Sequence, residues 1–158
     1  MSISTEDRLQ QLADREELRE LRYEYARCLD DEAWNEWVDL FTPDAECDYE
    51  GWGEVAGHDE LRSFADTVDD AFEYTAHVMH HPQLSVNGDT AEGTWYTEIH
   101  YALSEGGGGW RQGRYHDTYR RTDDGWKFST VSHTFFARQQ RDYEVVDDDQ
   151  YGRLVEFE

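Results

Sequence analysis

The chain reads as one α+β domain, with N-terminal helices laid against a strongly curved antiparallel sheet. Three features predict this. Apolar residues recur at helical spacing from Leu9 to Leu29, the second half alternates between apolar and polar residues, and two tight-turn signals, Asn87-Gly88-Asp89 and Asp123-Asp124-Gly125, divide that half into strands. Helices followed by a run of strands place the helices on one face of the sheet.

In order, Leu9, Leu12, Leu18, Leu21, Tyr25, Cys28 and Leu29 mark the first helix and its inward face. Asp14 followed by Glu17 has the spacing to cap a second helical start within it. A further helix is expected over Asp31–Phe41, with Trp34, Trp37, Leu40 and Phe41 inward. It should stop before Pro43, because the residue preceding proline disfavours helical angles. Ala45–Glu50 alternates like a strand, and Gly51, Gly53 and Gly57 punctuate a short hairpin. Asp59–Asp69 returns to helical period through Leu61, Phe64, Ala65 and Val68, with acids in its first turn. After Tyr74 the pattern is sheet, with strands over Ala91–Leu103, Trp110–Thr122 and Trp126–Ala137 and a looser turn at Gly106–Gly109. Residues 1–140 form the domain, and 141–158 read as an acidic extension, solvated or in contact with another copy. Long strands curling around helices leave a cavity inside the cone, the expected site.

A chain of 158 residues buries a real core, and six Trp, ten Tyr and seven Phe supply rings that suit pocket walls. The formal net charge is -23, from 37 acids against 14 Lys and Arg, and Lys127 is the only lysine. Such one-signed charge opposes compaction. At molar salt, where screening acts over about 3 Å, the repulsion largely vanishes. The composition therefore points to a salt-accumulating, halophilic cytosol. It argues against nucleic acid and anionic membranes as partners, because nothing forms a basic footprint. No apolar run has membrane-spanning length and no signal peptide is read at the N-terminus, so a cytoplasmic protein is expected. Cys28 and Cys47 lack metal spacing and read as small buried residues.

The chemistry-bearing candidates are an acid and a set of histidines. Asp30 ends the first helix, five residues after Tyr25. Periodicity alone reads it as a helix-end acid in solvent beside Asp31 and Glu32; turned inward it would need a partner to stay charged. Thr75-Ala76-His77-Val78-Met79-His80-His81 holds three histidines, and in a strand His77, Met79 and His81 would share one face. Imidazoles serve as metal ligands or, oriented by a carboxylate, as metal-free general bases. No HExxH and no carboxylate at ligand spacing accompany them, so no metal is expected. His58, His81 and His116 read as ordinary surface or hydrogen-bonded residues. No phosphate-cradling glycine motif is present, and no cofactor is expected.

Tyr25-Ala26-Arg27-Cys28-Leu29-Asp30 with Trp34, then Leu40-Phe41-Thr42-Pro43-Asp44-Ala45, resembles the start of SnoaL-like (nuclear-transport-factor-2-like) domains. Thr75-Ala76-His77, Asn87-Gly88-Asp89-Thr90-Ala91, Gly113-Arg114-Tyr115-His116-Asp117 and Asp124-Gly125-Trp126-Lys127-Phe128 continue the likeness to about Ala137. Within that superfamily the chain is similar to the branch holding scytalone dehydratase, bile acid 7α-dehydratase and hexachlorocyclohexane dehydrochlorinase. The resemblance implies a cone-shaped fold and a metal-free acid–base pair, Asp30 with His77. It implies substrate contacts from Tyr25, Tyr49 and the Gly93-Thr94-Trp95-Tyr96 segment, represented by Trp95. Ile99 stands where the bile acid enzymes carry an acid, with His100 adjacent. Phe135 stands near their last-strand arginine, with His133 two residues earlier, so His100 and His133 complete the candidate set.

The expected function is a cofactor-independent lyase that eliminates, dehydratase-like, next to a carbonyl of a small hydrophobic or cyclic substrate. An isomerase or cyclase using the same pair is the alternative, as is a non-catalytic binding or structural subunit. A homo-oligomer is expected, with a trimer preferred to a dimer.

Overall fold

The computed structural model describes residues 4–141; of the acidic extension expected over 141–158, Arg141 belongs to the last strand and 142–158 lie outside the described residues. Helix α1 spans Thr5–Asp30 and opens on a capping box. The Ser4 hydroxyl accepts the Asp7 N–H at 3.0 Å, and the Asp7 carboxylate accepts the Ser4 N–H at 3.3 Å. No second start occurs at Asp14. That side chain is buried instead, accepting from Arg121 Nη2 at 2.8 Å and from the Gln10 amide at 3.0 Å. The ion pair with Arg121, distant in sequence, overrides its capping tendency. Leu18, Arg22, Tyr25, Cys28 and Leu29 form the buried face, whereas Leu9 and Leu12, expected inward, stand exposed on the first turns.

Helix α2 covers only Trp34–Asp39, shorter than the expected Asp31–Phe41. Glu32 takes a left-handed φ of 56° between the two helices, and Phe41 already begins strand β1, which runs Phe41–Tyr49 through Pro43. β2 (Gly53–Ala56) pairs back on β1, and α3 (Gly57–Ala71) carries the chain across to the far edge of the sheet. From there β3 (Phe72–Asn87), β4 (Thr90–Leu103), β5 (Gly108–Thr122) and β6 (Gly125–Arg141) meander back. The order is β2-β1-β6-β5-β4-β3. Because α3 crosses over, β6 returns alongside β1 in the same direction, and this pair is parallel within an otherwise antiparallel sheet.

The four long strands carry register shifts at His80/Gln83, Gln112/Gly113 and Thr118/Tyr119. Such bulges bend and twist strands, so the sheet curls around α1 without closing. Tyr25 of α1 sits at the centre of the aromatic core. Its ring meets Trp37, Phe41, Tyr115 and Phe128 edge-on at 5.4–6.0 Å, an arrangement that suits aromatic quadrupoles.

Candidate active site

The end of α1 packs over β3, which brings Asp30 onto Thr75 and His77 across 45 and 47 residues of sequence. Asp30 Oδ2 accepts the His77 backbone N–H at 2.8 Å, and Oδ1 lies 2.6 Å from His77 Nδ1. Oδ1 also accepts from the Thr75 hydroxyl at 3.0 Å. β3 is an edge strand, so the carboxylate satisfies one of its backbone donors as well as gripping the ring. The imidazole is held by Nδ1, which leaves Nε2 as its other functional atom. His77 is nearly buried, with 9% of its side chain exposed, and borders a cavity.

That cavity lies between α1, α3 and the concave sheet face, with Phe64, Val68, Phe72, Ile99 and Tyr101 among its apolar walls. Tyr25, Tyr49 and His133 border it with His77. The Tyr25 hydroxyl donates to the Tyr49 hydroxyl at 3.0 Å. Burial pushes the Tyr25 phenol up to about 12 and that of Tyr49 well above its usual 10, so both remain protonated donors. His133 stacks on Tyr115 at 4.1 Å and meets Phe135 edge-on at 4.2 Å. Burial, then the positive charge of Arg22 and the neighbouring His77 and Arg111, push its pKa down to about 3. It is therefore a neutral imidazole, and its buried Nε2 has no hydrogen-bond partner among the described residues. Gly113 makes room for it: a Cβ there would stand 3.0 Å from that Nε2 and 2.3 Å from the Thr134 carbonyl oxygen.

Two of the expected residues lie elsewhere. Trp95 is wholly buried in the core, where its Nε1 donates to the Tyr119 hydroxyl at 3.0 Å, and it does not border the cavity. His100 lies between Ile99 and Tyr101, which face the cavity, so strand alternation turns it to the opposite side of β4. The shared face expected for His77, Met79 and His81 also breaks down. His81 adopts a φ of 46° before Pro82, at the bulge in β3.

The cavity floor rests on a buried ion pair absent from the residues expected above. Arg22 Nε donates to Asp117 Oδ2 at 3.1 Å and its Nη2 to Oδ1, while the Tyr119 hydroxyl donates to Oδ2 at 2.7 Å. The Arg22 guanidinium also stacks 4.4 Å from the Tyr25 ring centre and 4.1 Å from that of Tyr115. Burial opposes its charge, but Asp117 prevails and raises its pKa. The signal was legible: Arg22 continues the stripe Leu18, Tyr25, Leu29, and Asp117 alternates with Tyr115 and Tyr119. A charge at a core position on each of two elements marks a pair.

Outside the cavity, Glu24, Cys28 and Glu36 bring ligand-type atoms together. The Arg27 guanidinium lies among them, donating to Glu24 Oε2 at 3.0 Å and to Glu36 Oε2 at 2.6 Å, and it supplies the positive charge there. Burial raises the Cys28 thiol to about 11.

Helices over an open, curled sheet with an acid–imidazole pair at an apolar cavity define an NTF2-like fold built around a pocket. The chain belongs to the SnoaL-like domain family, whose model matches residues 10–132. An uncharacterised protein of Mycobacterium tuberculosis is 27% identical over 124 residues, covering 74% of this chain and 82% of that protein. Among solved structures, a candidate aromatic ring hydroxylase from Novosphingobium aromaticivorans superposes with a TM-score of 0.79 at 27% identity, covering 82% of this chain and 94% of that one. A type 2 hexachlorocyclohexane dehydrochlorinase reaches 0.82 at 22% identity, covering 89% and 97%. A candidate scytalone dehydratase, also from Novosphingobium aromaticivorans, gives 0.75 at 22% identity, covering 86% and 91%.

Proposed function

We propose that the chain is a cofactor-independent lyase that removes water from a small cyclic or aromatic β-hydroxy carbonyl compound. The observation that carries the reading is the Asp30–His77 pair, in hydrogen-bond contact at 2.6 Å beside an apolar cavity. His77 Nε2 takes the proton from the carbon next to the carbonyl. The C–H electron pair becomes the enolate double bond, and the carbonyl oxygen gains the negative charge. Asp30 fixes the tautomer and stabilises the imidazolium that forms. Tyr49, its own oxygen receiving the Tyr25 proton, donates to the enolate oxygen in a site walled by rings. As the enolate collapses, the β-hydroxyl leaves with the proton from His77 as water. The products are an enone and a neutral histidine.

Dehydratase- and dehydrochlorinase-named structures of the same fold support this choice over a purely structural subunit. An isomerase would share the enolate. The test follows enone absorbance for a panel of cyclic β-hydroxy ketones in the wild type and in His77→Ala, with deuterium exchange at the α-carbon read in parallel. Water loss that depends on His77 is expected. Exchange without water loss assigns an isomerase, and full turnover in His77→Ala overturns the base assignment.

The chain is further proposed to work as a cytoplasmic homo-oligomer, a trimer rather than a dimer, in a salt-rich cell. The exposed apolar side chain of Val78 on the edge strand supports a covering copy, and sedimentation at molar salt counts the subunits.

A further inference from the structure

A second concavity, bordered by Gly51, Ala137 and Arg138, shares Glu50, Trp52, Arg111 and Phe135 with the cavity and forms its antechamber. Two arginines stand here side by side, since Arg111 of β5 pairs in register with Arg138 of β6. In a chain with 37 acids, six arginines (Arg19, Arg22, Arg27, Arg62, Arg120 and Arg121) hold carboxylates. Arg111 and Arg138, like Arg8, Arg15 and Arg114, hold none among the described residues, and of these five only Arg111 and Arg138 border the antechamber. The acid that borders the antechamber, Glu50, directs Oε2 to the Phe135 N–H and forms no ion pair with either. The Arg111 guanidinium is half-buried and lies 4.8 Å from the Tyr101 ring centre and 5.1 Å from that of Phe135. Stacking of this kind orients the planar fork and leaves its donors free along the edge, the geometry that receives a carboxylate or phosphate in bidentate fashion.

We infer that the antechamber binds an anionic group of the substrate, clamped by Arg111 with Arg138 beside it on the neighbouring strand, while the carbonyl lies deeper in the cavity with His77 and Tyr49. This deepens the proposed elimination and rests on it for the orientation of the substrate. The substrate is then a ring-bearing carbonyl compound with a remote carboxylate or phosphate. At molar salt, long-range charge is screened and a direct contact with the guanidinium is what can hold such an anion.

Isothermal titration calorimetry at molar potassium chloride tests this without turnover, using para-acetylbenzoate, para-acetylbenzamide and para-acetylphenyl phosphate. The benzoate should bind about tenfold or more tightly than the amide, as hydrogen bonds to a charged group imply. Arg111→Gln should abolish that preference by weakening the benzoate far more than the amide, Arg111→Lys should keep part of it, and Arg138→Gln should weaken it less. Whichever of benzoate and phosphate ester binds more tightly assigns the anion. His77→Ala should retain the preference although elimination is lost, which separates this inference from the catalytic one. Equal affinity for acid and amide, a preference unchanged in Arg111→Gln, or no heat from the acid would overturn the clamp.

Discussion

The Asp30 carboxylate holds His77 at two points, by the ring at 2.6 Å and by the backbone N–H at 2.8 Å. Ring orientation and strand position are therefore set by one side chain, and Asp30 itself stands behind the imidazole rather than in the cavity wall. Replacing it with Asn keeps the shape but removes the charge that stabilises the imidazolium and fixes the tautomer. Under the proposed elimination, Asp30→Asn should lower kcat by about 10²–10⁴-fold, the range for general acid–base groups, with little change in KM. A variant whose KM rises while kcat holds would show that the carboxylate serves binding instead.

The two cavity tyrosines should differ in effect. Tyr25 spends its proton on Tyr49 at 3.0 Å, so the Tyr49 hydroxyl is the one free to donate to substrate. Under the proposed elimination, Tyr49→Phe takes away the donor to the enolate oxygen and should cost about 10²–10³-fold in kcat. Tyr25→Phe removes one supporting hydrogen bond, worth about 0.5–1.5 kcal/mol, or roughly tenfold at most. Steady-state kinetics of the two single variants decide it, and the reverse order would move the donor role to Tyr25.

The helical stripe and the alternating strands made the layers legible, because burial of one face is the dominant constraint on each element. The parallel β1–β6 pair was not legible, since it follows from where α3 deposits the chain rather than from any residue pattern. Asp30 had to be placed by family resemblance, for periodicity alone left it in solvent; its partners Thr75 and His77 are distant in sequence. His100 failed for a simple reason: its neighbour Ile99 already occupied the inward register, and a strand offers only every second residue to one face. Trp95 does face inward, but beside Tyr119 in the solid core, and a sequence gives no depth along a strand.

The Arg22–Asp117 pair is wholly buried, with the guanidinium against the rings that floor the cavity. Removing one partner strands the other charge in an apolar interior. Arg22→Met should therefore destabilise by about 3–5 kcal/mol, while the double replacement Arg22→Met with Asp117→Leu should recover most of the loss. Denaturant unfolding at molar salt measures both. If the double variant were no more stable than the single, the charge accounting would be wrong and shape alone would explain the site.

His133 makes a prediction of opposite character, in acid. Its pKa is about 3 in the folded chain against an ordinary 6.5, chiefly because burial disfavours the imidazolium and Arg22 lies close by. Above the ordinary value both folded and unfolded chains keep the ring neutral, and its contribution is fully present. As pH falls below 6.5 the unfolded chain takes up a proton that the folded chain refuses until about 3. Stability is then lost across that window, by up to about 1.4 kcal/mol per pH unit from this one group. Other groups titrate over the same range, so the quantity to measure is the difference between wild type and His133→Asn at each pH. That difference should be flat above neutrality and move steadily against the wild type as the solution is acidified to pH 4. A difference that stayed constant throughout would mean that His133 accepts its proton in the folded state, and with it that the cavity admits water to its Nε2.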